Sequence, residues 1–419
     1  MMEKQTKIGT VPEGWEVKKL KEVFHINELS LPSNTDANYT FKYIPIEYVT
    51  TNHIDFESCE TFRFADAPGR ARRIVKENDI LISGVRPNLK SFAVFKKPDN
   101  NNWICSTGFY VLTAKEECDN LFSYYELLSE IGESQFYSYV AGSNYPAIGD
   151  GDIRNMKLVF PKDKHEQSAI ATMLSKVDEA IAAVQGSIAA AERLKKSLMQ
   201  NLLTGRMKPD GTLRKEDEFY VDEKFGRVPV GWEVKRIDKI SERKTEVIDP
   251  TKTKEVYDYI GLEHIVPDEF VRCGKGLSNE TVALKVKFET GDLLYGKLRP
   301  YLNKVFISDI SGVGSTEFIV LKQNEFTNWV YLNFQLKRFL DYTKSMTAGT
   351  QHPRASWNDI KHYLVGIPKN EQEREQITKM LLSLEQRKKT NNDKIAVLER
   401  LKKSLMQNLL TGRVRVKRK

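Results

Sequence analysis

The chain has 419 residues, of which 40% are hydrophobic and 29% charged, with a formal net charge of +8. That length exceeds one ordinary core and suits two or three domains, and the balance excludes disordered, collagenous and membrane-spanning classes. The positive excess favours a polyanionic partner, although proteins that bind no nucleic acid share it.

The opening "MMEKQTKIGTVPEGW" has no apolar stretch of signal-peptide length, so a cytoplasmic location is expected. Cys59, Cys105, Cys118 and Cys273 lie far apart, and neither they nor His25, His53, His165, His264, His352 and His362 fall at metal-ligand spacing. Reduced thiols and no structural metal are expected.

In chain order, the first element to return is "VPEGWEVKKL" at Val11 to Leu20, which recurs as "VPVGWEVKRI" at Val228 to Ile237. "YIPIEYV" from Tyr43 matches "YIGLEHI" from Tyr259, and "DILISGVRPNL" from Asp79 matches "DLLYGKLRPYL" from Asp292. "STGFYVL" from Ser106 matches "STEFIVL" from Ser315, and "ERLKKSLMQNLLTGR" occurs identically at Glu192 to Arg206 and Glu399 to Arg413. The whole chain is therefore two copies of one unit. All net length change falls in the front of the unit, because the spacing between matches is constant from Ala141 and Ala348 onward.

Each front half reads as mixed α/β, richer in strand than helix. "FKYIPIEYV", "DILISGV", "STGFYVLTA" and "MKLVFP" are short β-rich runs bounded by turns, as are "DLLYGKL", "TEFIVLK" and "HYLVGIP". A helix is predicted in "CDNLFSYYELLSEIGESQFYSYV" and its counterpart "EFTNWVYLNFQLKRFLDYTKSM", with its aromatics in the core.

Each back half reads as one long helix, about 60 Å at 1.5 Å per residue. Ile170, Leu174, Val177, Ile181, Val184, Ile188 and Ala191 step by four and three, the coiled-coil period; near Leu194 the phase slips, and Leu194, Leu198 and Leu202 continue the stripe. The second copy carries Ile377, Leu381, Leu384, Ile395, Leu398, Leu401, Leu405 and Leu409. Its Lys388 and Asn391 fall on the seam, either fixing register or marking a local slip. Amphipathic helices of this length do not stand alone in water, so the two rods are expected to pair. The expected layout is a domain over 1–160, a helix over 161–208, a second domain over 209–367 and a helix with a basic tail over 368–419.

Loop residues suggest a surface for nucleic acid. Arg70, Arg72, Arg73, Arg86 and Lys90 cluster in the first copy, and Lys297, Arg299 and Lys304 in the second. Arginine can grip phosphate or read guanine, or can instead pair with a carboxylate such as Asp79 or Asp292. "AGSNYPAIGDGDI" against "AGTQHPRASWNDI" keeps its frame while Ser143, Asn144 and Tyr145 become Thr350, Gln351 and His352, either as two readers of different sequences or as ordinary loop divergence.

The duplicated layout, "ARRIVKENDILISGVRP", "IPKNEQEREQI" with its counterpart "FPKDKHEQSAI", and the closing "LKKSLMQNLLTGR" resemble the specificity subunit of type I restriction-modification systems over nearly the whole chain. The helix starts depart from that family's usual proline-proline-leucine. The resemblance implies two β-rich target-recognition domains, each reading half of a bipartite double-stranded DNA site, and two long helices paired as an antiparallel coiled coil. It implies two methylation subunits using S-adenosylmethionine on adenine, and restriction/translocase subunits using ATP and Mg2+. No cofactor is expected in this chain, which lacks a phosphate-binding loop, an adenine-methylation motif and a clustered nuclease pattern.

Two identical helix ends would suit a partner present in two copies. The docking surface is expected at Lys195, Lys196, Leu202, Leu203 and Arg206, and at Lys402, Lys403, Leu409, Leu410 and Arg413. The alternatives are a non-catalytic coiled-coil scaffold without base readout and an enzyme, for which no acid, base or nucleophile constellation is found.

Overall fold

A computed structural model of the full chain describes residues 3–6, 9–140, 147–346 and 353–416. They form two compact units, one of residues 1–185 with 393–419, the other of residues 186–392. The boundaries cut through both long helices and not between domain and helix, because each helix half is packed into a unit's core. Among the described residues no helix is long and apolar enough to cross a membrane.

In the first unit, one antiparallel sheet has the order Phe92–Val94, Ile80–Ser83, Phe109–Ala114, Phe24–Ile26. Ile80 and Ile82 face one core and Leu81 the other, the two-residue alternation of a strand buried on both faces. This explains the uninterrupted apolar run. The second sheet has the order Thr61–Arg63, Thr40–Ile44, Trp103–Ser106, Ala71–Ile74, with its middle pair parallel. Trp15–Lys19 pairs separately with Lys157–Pro161, bringing the front of the unit to the strand that precedes the long helix.

The second unit repeats this plan. Its antiparallel sheet is Arg243–Lys244, Phe318–Leu321, Leu293–Gly296, Val305–Ile307, and Asp258–Ile260 again runs parallel to Gly312–Ser315. The predicted connecting helix is broken into two in each copy, Asn120–Leu127 with Glu130–Val140 and Thr327–Phe334 with Lys337–Met346. Asp119 caps the first by accepting the Phe122 N–H at 2.9 Å. Its aromatics belong to the core, as expected, with Phe122, Tyr124, Trp329, Phe334 and Phe339 buried and Tyr137 exposed.

The long helices run unbroken over Lys164–Leu202 and Glu371–Leu409. Within each unit the end of one lies antiparallel to the start of the other. Leu409 and Leu410 join Ile170 and Leu174 in the first core, and Leu202 and Leu203 join Ile377 and Leu381 in the second. The expected phase slip does not occur: Leu194 and Leu401 are exposed, and the seam continues through Lys195 and Lys402. Lys195 bonds Glu385, which also accepts the Tyr331 hydroxyl at 3.0 Å; Lys402 reaches Asp178 at 2.6 Å, which accepts the Tyr125 hydroxyl at 2.7 Å. Each lysine thus ties both helices to the domain helix above them. On the second unit's seam, Lys388 reaches Glu192 at 2.7 Å and also bonds Glu269, and Asn391 donates to Ser187 at 3.4 Å.

The next-to-last residue of the repeated phrase is a glycine with positive φ, Gly205 at 68° and Gly412 at 66°. A Cβ on Gly205 would stand 2.1 Å from Pro229 and 3.3 Å from Trp232; one on Gly412 would stand 2.5 Å from Pro12 and 3.3 Å from Trp15. The repeated helix end therefore seats on the repeated Val-Pro-x-Gly-Trp motif. Beside each seat an arginine crosses to the first turn of a long helix: Arg415 to Glu166 at 2.6 and 2.8 Å, and Arg214 to Glu373. Gly205→Ala and Gly412→Ala should each destabilise the protein by about 2–4 kcal/mol, combining left-handed backbone strain with a clash against proline. Chemical denaturation of the two variants measures this.

Glu126 is fully buried, with Oε1 accepting the Val159 N–H at 3.2 Å and Oε2 without a partner among the described residues. Burial pushes its carboxyl up to about 8, with the Val159 bond opposing. The folded state then holds a proton that the unfolded chain releases in the ordinary carboxylate range. Its contribution is complete below that range and is lost as pH rises towards 8. Glu126→Gln should raise the melting temperature at pH 8 and change it little at pH 4.5, read by thermal denaturation at both values.

Candidate nucleic-acid interface

After Ile80–Ser83 and Leu293–Gly296 the chain reaches the two Arg-Pro pairs, and both turn identically. Arg86 (φ 49°) and Arg299 (φ 52°) adopt the left-handed region ahead of short 3-10 turns at Pro87–Leu89 and Pro300–Leu302. Proline disfavours a right-handed helical conformation in the residue before it, and the left-handed alternative costs a side-chain-bearing residue about 1–2 kcal/mol. Lys90 and Asn303 close the turns, also with positive φ. Both arginines are exposed.

The structure brings these turns against the second candidate surface. In the first unit Val85 bridges Ala147, and the Ile148 N–H donates to the Gly84 carbonyl at 2.9 Å. In the second, Leu298 bridges Arg354, Arg299 N–H donates to Pro353 at 2.8 Å, and Ala355 N–H to Lys297 at 3.0 Å. Ser143, Asn144, Tyr145, Thr350, Gln351 and His352 lie outside the described residues, but the chain that follows each trio leans on an Arg-Pro turn.

Arg70 converges on the first turn from the other sheet. The connecting link is the segment Ser106 to Phe109: Thr107 N–H donates to Arg70 at 2.8 Å, and Gly84 N–H donates to Gly108 at 2.9 Å. Arg72 donates to the Ala71 carbonyl at 2.8 Å and lies over the Phe64 ring, and Arg73 donates to Ser30 at 3.0 Å. Both guanidinium groups are partly engaged on the sheet.

Two predicted contacts are corrected. Lys90 bonds Glu133 on the helix Glu130–Val140, and Lys304 donates to the Leu262 carbonyl at 2.6 Å, so each ammonium braces its turn and is not free for a phosphate. The alternative pairing of Arg86 and Arg299 with Asp79 and Asp292 is not what these carboxylates do. Asp79 accepts Lys76 N–H and the Thr113 hydroxyl, both at 2.7 Å; Asp292 accepts Glu289 and Gln323 N–H and meets Lys244 at 2.7 Å. Burial raises the Asp79 carboxyl above the usual range, with the Thr113 bond opposing.

The expected docking surface is also corrected. Leu202, Leu203, Leu409 and Leu410 are at most 4% exposed, and Lys195 and Lys402 are bound across the seam within their units, so each of the six serves the interior of its own unit. Lys196, Arg206, Lys403 and Arg413 remain exposed.

Sequence reasoning missed three neighbours of Lys297. Arg354 donates to both carboxylate oxygens of Glu317 at 3.2 and 3.3 Å, and Lys297 N–H donates to the Glu317 carbonyl at 2.7 Å. Burial pushes the Lys297 ammonium below the lysine range; Glu317 opposes this, and Arg243 and Arg354 add to it. The signal lay in the repeats, where these charged residues replace uncharged ones.

Two β-rich domains of one plan, each presenting a strained, exposed Arg-Pro turn, define a duplicated recognition protein. A family model described as the type I restriction modification DNA specificity domain matches residues 12–193 and again 229–400. The chain belongs to this family and carries its domain twice. It is 23% identical over 442 residues to the MjaIX type I restriction enzyme specificity subunit of Methanocaldococcus jannaschii, covering 99% of this chain and 96% of that protein. A type I restriction-modification S subunit from M. genitalium shares the fold, with TM-score 0.59 and 16% identity over 94% of this chain and 96% of the other. So does a chain from work on complex assembly and conformational transition of the type I system, with TM-score 0.51 and 19% identity over 96% and 99%.

Arg299→Gly should raise stability by about 1 kcal/mol, by relieving left-handed strain, while weakening DNA binding about tenfold. Thermal melting and fluorescence anisotropy with the chain's target duplex measure the two effects separately.

Proposed function

We propose that this chain is the DNA-specificity subunit of a type I restriction-modification complex, in which each domain reads one half of a bipartite, gapped site. The observation that supports this most is the double family match on a chain whose two Arg-Pro turns agree in backbone and differ in surrounding side chains. Arg70, Arg86 and Arg299 position the complex on phosphate or guanine, and the loops carrying Ser143, Asn144, Tyr145, Thr350, Gln351 and His352 supply further base contacts. The two long helices pair along their length as an antiparallel coiled coil that sets the distance between half-sites.

In this reading the subunit is cytoplasmic, performs no catalysis and holds no cofactor. Two methylation subunits supply S-adenosylmethionine chemistry on adenine, and restriction/translocase subunits supply ATP- and Mg2+-dependent steps. The exposed Lys196, Arg206, Lys403 and Arg413 contribute to two equivalent docking sites.

The test is co-expression with the methylation subunit followed by single-molecule mapping of N6-methyladenine. A gapped motif methylated on both strands is expected, and an assembled complex yielding none would favour a scaffold without base readout. Insertion of one heptad after Gln185 and after Asn392 preserves the seam and adds about 10 Å at 1.5 Å per residue. The spacer should lengthen by roughly three base pairs, at about 3.4 Å each, with both half-sites unchanged; an unaltered spacer would sink the ruler.

A further inference from the structure

The two units can be compared position by position around the Arg-Pro turn, because strand pairing and hydrogen bonds fix the equivalences. Gly84 and Gly108 in the first unit are joined by the same backbone bond as Lys297 and Glu317 in the second. Ala147, bridged to Val85, occupies the place of Arg354, bridged to Leu298. On the adjoining strand, Ile26 pairs with Leu112 as Arg243 pairs with Leu321. Four uncharged positions in one unit are thus three cations and a carboxylate in the other, on a shared backbone.

The exchange has a physical logic on each side. In the first unit a Cβ on Gly84 would stand 2.8 Å from the Tyr110 ring, whose hydroxyl donates to the Ile148 carbonyl at 2.9 Å. Glycine is required there by the ring, and the surface is small and uncharged. In the second unit Ile319 replaces that tyrosine, and Lys297 occupies the space. The carboxylate of Glu317 is taken by Arg354, and the Lys297 ammonium has no hydrogen bond or ion pair among the described residues. Burial and the nearby Arg243 and Arg354 both disfavour its charge, so the cluster carries more donors than acceptors.

We infer that these matched positions determine base specificity, and that Lys297, with Arg354 and Arg243 beside it, reads a guanine in the second half-site. Guanine presents the paired acceptors O6 and N7 to the major groove, the edge that lysine and arginine donors match. The uncharged surface of Gly108 and Ala147, beside the buried Gly84, offers no such donors and admits a different base. This inference rests on the half-site reading proposed above and extends it to particular residues.

The experiment uses the full-length chain assembled with its methylation subunit and a plasmid library randomised across the second half-site. Lys297→Met and the exposed Arg354→Ala are compared with the wild type by methylation mapping, with melting curves confirming that each folds. Each variant should keep the first half-site and spacer and lose about tenfold or more of its preference for guanine at one position of the second half-site. An unchanged second half-site in both folded variants overturns the inference. So does a uniform loss across all sequences with a salt slope reduced by about one, the signature of a phosphate contact. A wild type that yields no gapped motif is the separate failure of the half-site reading.

Discussion

The structure depends on a close approach of backbone to ring. Gly205 and Gly412 each let the end of a long helix settle against a proline and a tryptophan, in a conformation a larger residue strains to adopt. From that seat the leucines before each glycine enter a core, the lysine ten residues earlier meets its carboxylate, and an arginine beyond crosses to the other helix. The letter-for-letter repetition of this phrase has an internal cause: its receiving motif is repeated as well, and both surfaces must fit twice.

The same duplication separates what is held constant from what is free to vary. Backbone bonds between Gly84 and Gly108 and between Lys297 and Glu317 are alike, although their side chains share nothing. A pair of strand ends that fixes position through main-chain groups leaves its side chains available for recognition, because changing them disturbs no ladder bond. Lys90 and Lys304 mark the limit of that freedom, since each is tied to a protein acceptor.

Much of this was legible in the sequence. The repeat, the strands, the aromatic core helices and the two Arg-Pro turns followed from local pattern and from comparing the chain with itself. The seam was misread near Leu194 because Lys195 and Lys402 stand where a hydrophobic residue was sought, and only a carboxylate on a distant segment makes lysine acceptable there. The leucines assigned to docking failed for a related reason: hydropathy reports that a side chain seeks cover, not whether the cover is its own chain. Glu317, Arg243 and Arg354 escaped notice because strand pairing, absent from the linear sequence, makes them neighbours of Lys297.

One unit is a continuous stretch, residues 186–392, while the other needs residues 393–416 to complete a core begun by Val11 and Trp15. Synthesis from the N-terminus supplies every residue of the continuous unit before the last residues of the other. The unit begun first therefore lacks Leu409 and Leu410, which share a core with Ile170, Leu174 and Trp15, until the last helix half has been made. The half whose synthesis begins first is therefore the half whose core residues are supplied last.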